Sequence, residues 1–122
     1  MTDRVSASAA CLLAASLATL IAQSGTSATR RVPQFENQHV TVWKSIVLPK
    51  QPLTMHRHEH GRTIVALKGG TLKIVEKSGE THSVVWETGK AYWLDADPPG
   101  AQHADVNEGP EPIEIMVVEM KR

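Results

Sequence analysis

Turn chemistry recurs along this chain at intervals of roughly ten residues. Gly61, Gly69-Gly70, Ser78-Gly79, Gly89, Pro98-Pro99-Gly100 and Glu108-Gly109-Pro110 all interrupt it. Glycine and proline each carry a helix penalty, and the gaps between these breaks are too short for a stable helix. What lies between them alternates instead. Residues 39–48 read HVTVWKSIVL, where Val40, Val42, Ile46 and Leu48 share parity around Trp43, the period-2 pattern of a half-buried strand. Pro49 and Pro52 then remove two ladder donors and end it. Further strands are predicted at 53–60, 63–67, 71–76, 81–87, 91–95, 102–106 and 113–120. In the last of them Ile113, Ile115 and Val117 alternate with Glu114 and Met116, so one face is buried. The expectation is an all-β domain, a small antiparallel β-barrel or sandwich; periodicity does not choose between the two.

The start of the chain is of different composition. Residues 9–22, AACLLAASLATLIA, form a run of 14 without charge, between Arg4 and the small polar residues 24–29. As a helix it would span about 21 Å, against the ~30 Å hydrocarbon core of a bilayer. A signal peptide over residues 1–28 is therefore predicted, with Thr26 at the −3 place, or a cut nearer Ala22 or Ser24. The mature chain, 29–122, would then be one exported domain, periplasmic or secreted, with no membrane segment. The single cysteine, Cys11, leaves with the peptide, which suits an oxidising compartment. Lys plus Arg and Asp plus Glu number 13 each, so the basic excess that drives phosphate-backbone binding is missing and nucleic acid is not an expected partner.

Without cysteine, whatever chemistry exists must use histidine, carboxylates or arginine. Residues 55–60 read MHRHEH. On a strand His56 and His58 project from one face with Cα atoms about 7 Å apart, within reach of one ion at roughly 2.0–2.1 Å per bond. His60 has the same parity but adjoins Gly61, where the strand turns. His103 is the candidate ligand from another strand. His39 and His82 have no partner at ligand spacing and are expected at the surface.

Two motifs carry a family resemblance. The first is His56-x-His58, three residues, Arg62, six residues, Gly69. The second is Pro98-x-Gly100, two residues, His103, three residues, Asn107. In this order, on an all-β background, the chain resembles the cupin superfamily over nearly the whole of its mature part. The resemblance implies a jelly-roll barrel, often dimeric, holding one divalent metal through His56, His58 and His103. Its span of activities runs from dioxygenases and isomerases to sugar-binding and non-catalytic domains. Pro98 and Gly100 are expected to shape the turn that delivers His103, and Asn107 to close the next one.

Arg62, or Thr63 under a longer spacing, stands where cupins commonly carry a metal-binding glutamate. A guanidinium 5 Å from a divalent ion is repelled by about 7 kcal/mol at an effective dielectric of ~20, which keeps Arg62 out of the inner shell. It either turns to solvent or lies further along the cavity, where its planar fork binds an anionic substrate group. The three histidines that remain resemble the site of the three-histidine cupin dioxygenases, with open positions for substrate and for oxygen or water. His60 is the alternative fourth ligand. Trp93, with Trp43, Trp86 and Tyr92, is either core or cavity lining, and Arg62 and Trp93 are the candidate substrate-binding residues. The expected protein is an exported small cupin binding Fe, Zn, Mn, Ni or Cu, undistinguished by sequence, with Fe(II) oxygenase action on a small organic molecule as the enzymatic reading. The alternatives are a non-catalytic binding module and a structural cupin without metal.

Overall fold

The computed structural model describes residues 28–122, so the expected signal peptide lies outside the described residues except for Ala28. Nine strands follow in order: β1 (Arg30–Glu36), β2 (Val40–Val47), β3 (Leu53–His56), β4 (Arg62–Lys68), β5 (Gly70–Glu76), β6 (Thr81–Trp86), β7 (Ala91–Leu94), β8 (His103–Asn107) and β9 (Ile113–Met120). No helix occurs among the described residues. One sheet has the order β1-β2-β9-β4-β7 and the other β3-β8-β5-β6, with every strand pairing antiparallel. The all-β, jelly-roll expectation is met.

The core lies between the sheets. Ile113, Ile115 and Val117 of β9 are buried together with Trp43 and Val47 of β2 and Ile64 and Ala66 of β4. Leu72 and Trp86 meet them from the second sheet. On β4 and β9 this is a two-residue alternation, as the sequence predicts for β9; on β2 the core residues Trp43 and Val47 have the parity opposite to the predicted Val42 and Ile46, which are buried too because both faces of that strand are covered. Asn107 is buried at the end of β8, where its Nδ2 donates to Val47 O and Glu111 O and its Oδ1 accepts from Gly109 N. It closes the turn as expected.

Two strands differ from the sequence reading. β1 was not expected, because RRVPQFE carries a proline, three charges and no alternation. It survives as an edge strand paired only to β2, and the register shift between Pro33 and Phe35 absorbs the missing donor. The strand predicted over 53–60 ends at His56. Residues 57–61 leave the ladder for a loop held against the loop before Pro98: Asp97 N donates to His58 O, and His58 N to Asp97 Oδ2 at 2.7 Å.

Candidate metal centre

Strand register brings the first two candidate ligands together. His56, the last residue of β3, pairs directly with His103, the first of β8. His58 reaches the same point from the loop, not from the face of a strand, so the alternation argument holds for His56 and fails for His58. Asp97 takes over the positioning. Ligand atoms of His56, His58 and His103 all lie within 4.8 Å of one another.

Each ring is oriented from behind. His56 Nδ1 stands 2.7 Å from Thr54 O, a carbonyl that only accepts, so Nδ1 carries the proton and Nε2 the lone pair. His58 Nδ1 lies 2.6 Å from Glu119 Oε2 and His103 Nδ1 lies 3.5 Å from Asp97 Oδ2. Carboxylates or carbonyls behind the ring are the arrangement that fixes the tautomer of a metal-bound histidine. Burial, reinforced by the nearby Arg62 charge, pushes the His58 pKa down to about 2. Burial also lowers that of His56. Both rings are therefore neutral, the form that binds metal.

A metal fits this donor set. The His56 Nε2 atom is buried and has no hydrogen-bond partner, a costly state for a polar atom unless something occupies the space before it. Donors at ~2.1 Å from one ion stand about 3–4.2 Å apart, so a small rotation of the rings closes the observed spacing.

The centre opens on a cavity of about 160 Å³ between the sheets. Arg62 lines it, only 6% exposed, with Nη1 3.1 Å from Asp95 O and 4.0 Å from Asp97 Oδ1. The solvent-facing alternative for Arg62 is thereby corrected: flanking acceptors that sequence spacing does not reveal let its charge stay inside. Trp93 stands elsewhere. It is 54% exposed, packs on Gly61 and donates from Nε1 to Asp95 Oδ1, outside the residues that line the cavity. His60 is not among the converging histidines. His39 is exposed, and His82 is exposed too but lines the cavity edge, 3.9 Å from Glu76 Oε1.

Four charged residues of the site were missed in the sequence. Arg31, on the unexpected strand β1, lines the cavity with its guanidinium 4.8 Å over the Trp43 ring. Asp97 offered no signal. Glu119 did, because it continues the buried parity of Ile113, Ile115 and Val117. So did Asp105, two residues after His103 on one strand.

Solved structures of similar architecture decide the fold. A cupin domain from Bordetella pertussis Tohama I superposes with a TM-score of 0.69 at 20% identity, covering 78% of this chain and 95% of that one. The fold is the cupin fold. A conserved protein with a double-stranded β-helix domain from Klebsiella pneumoniae subsp. pneumoniae matches at TM-score 0.59 and 23% identity, over 78% of each chain. The cupin domain of an XRE-family transcriptional regulator from Enterobacter cloacae matches at 0.55 and 17%, over 78% of this chain and 98% of its own. No protein-family model matches this chain, and no curated protein does. The cupin barrel thus places three histidines at metal-binding distance; what they hold and what it does are matters of chemistry.

Proposed function

We propose that this cupin binds a divalent metal through His56, His58 and His103 and acts on a small anionic organic molecule, as an oxygenase-type enzyme. The observation that carries the reading is the convergence of three imidazoles, each oriented from its Nδ1 side, at the wall of a cavity between the sheets. Bound there, a metal such as Fe(II) supplies Lewis acidity and open positions for substrate and for oxygen or water. Nitrogen donors suit Zn, Mn, Ni and Cu as well, so the reading rests on the site and not on one ion.

The arginines suggest the substrate class. Asp97, Asp105 and Glu119 surround the histidines together with Arg31 and Arg62, and Glu76 lines the same cavity, so four acids stand against two guanidiniums. A divalent ion balances the two acids in excess, so the preference for an anion rests on the arginines and not on net charge. Arg62 and Arg31 supply the donors that would orient such a group. Leu72, Ile74, Val84 and Leu94 supply the apolar part of the cavity wall, against which an organic group can pack. The small volume favours a compact acid, thiol or enol over a sugar chain. Export is part of the same proposal and rests on the uncharged run at 9–22.

Oxygen uptake by the Fe(II)-loaded protein, screened against small carboxylic acids and thiols, tests the reading. Turnover that disappears in His103→Ala supports it. Metal retention and anion binding without turnover in any member of the panel would instead make the protein a binding module.

A further inference from the structure

One acid at the centre is placed unlike the others. Asp97 and Glu119 stand behind their histidines, on the Nδ1 side. Asp105 stands in front: its Oδ2 is 3.8 Å from His56 Nε2 and its Oδ1 is 3.9 Å from His103 Nε2. These separations fall within the 4.8 Å spread of the three ligand atoms themselves. The carboxylate therefore faces the Nε2 atoms of two of the three imidazoles, His56 and His103.

The backbone fixes it there. Asp105 sits mid-strand in β8, paired to Leu53 of β3 on one side and to Ile74 of β5 on the other. Its parity with His103 turns both side chains to the interior, and its side chain is 14% exposed. The resulting cluster is electrostatically incomplete. His56 donates from Nδ1 to a carbonyl, so its buried Nε2 presents a lone pair, and the Asp105 carboxyl oxygens stand opposite it. Acceptors facing acceptors are satisfied by a cation held between them.

We propose that Asp105 is a fourth ligand, completing a three-histidine, one-aspartate centre. This rests on the three-histidine reading and deepens it. The acid that cupins commonly supply from the place of Arg62 is supplied here from β8, two residues after His103. Six-coordinate ions would still keep two positions for substrate and oxygen or water.

Cobalt(II) binding to the full chain tests this, with affinity measured by titration and coordination by visible absorption. Residues behind a ligand typically contribute 10–100-fold to metal affinity, so loss of a direct ligand should exceed about 100-fold. Asp105→Asn is expected to cross that line and change the cobalt spectrum, while Asp97→Asn stays within it with the spectrum kept. Asp105→Glu, which retains a carboxylate, should recover most of the affinity. Should Asp105→Asn fail to fold, the parent provides a second readout: cobalt must shift a carboxylate stretch in the infrared difference spectrum, and Asp105→Glu must displace that band. Parent-like affinity and spectrum in Asp105→Asn overturn the proposal and leave the three-histidine site intact. A parent that binds no cobalt, zinc or iron overturns both.

Discussion

Arg62 and Glu119 face each other across β4 and β9 as register partners, and Glu119 reaches from there to His58 Nδ1. The acid absent from position 62 thus has a counterpart one strand away, behind a ligand. Glu119→Gln keeps the shape and removes the charge that makes the ring a better donor. It is expected to weaken metal binding by about 10–100-fold with little change in fold, read by competition against a zinc chelator. Unchanged affinity would show that Glu119 serves packing alone.

Arg62 itself is predicted to be a structural charge as well as a substrate contact. Its removal strips Asp95 O of a donor and leaves Asp97 facing Glu119 without a cation between them. Arg62→Ala should lose about 1.5–3 kcal/mol in metal-free urea unfolding, the scale of a hydrogen bond involving a charged group. A loss under half a kilocalorie would place its whole value in ligand binding.

Acid should destabilise the metal-free protein earlier than its carboxylates alone require. His58 has a folded value of about 2 against 6.5 when unfolded, and His56 is lowered too. For such a group the stability is complete above the unfolded value and drains away as pH falls from there toward the folded one. Each costs up to about 1.4 kcal/mol per pH unit in that window. Glu119 is raised by burial and works oppositely: its contribution is present below its ordinary 4.5 and is lost as pH rises. The midpoint of metal-free thermal unfolding should therefore drop from pH 7 to pH 5, and His58→Gln should flatten the slope. A flat parent profile contradicts the neutral buried ring.

At the far end of β8, the buried Asn107 side chain satisfies two carbonyls and one amide, of which the Val47 carbonyl is buried and the other two groups are half-buried. Asn107→Leu leaves all three without a partner, at about 1–3 kcal/mol each. Chemical unfolding should show a loss above about 3 kcal/mol, while a loss near zero would mean that water replaces the amide.

The sequence makes the interior strands legible where their burial is periodic: Ile64 and Ile115 each continue a two-residue alternation, whereas β2 is buried on both faces, at Val42 and Trp43 alike. β1 escaped because an edge strand with a proline has no such pattern, and Arg31 was lost with it. The histidines were legible as a set, but not the means of their convergence. His58 is held by a backbone hydrogen bond to Asp97, 39 positions on, and no local spacing encodes that contact. Arg62 was misjudged as free to turn to solvent for the same reason. Its compensating acceptors, Asp95 O and Asp97, follow Leu94, its register partner on the neighbouring strand β7, a pairing between segments more than 30 residues apart. Asp105 and Glu119 could have been found by extending the buried parity of β8 and β9 to polar residues.

Metal stoichiometry is the most direct measurement. Elemental analysis of the purified chain, beside the His56→Ala/His58→Ala double variant, should give about one divalent metal per chain in the parent and none in the variant. A parent without metal, gaining no thermal stability from added Fe, Zn, Mn, Ni or Cu, would contradict the metal centre itself.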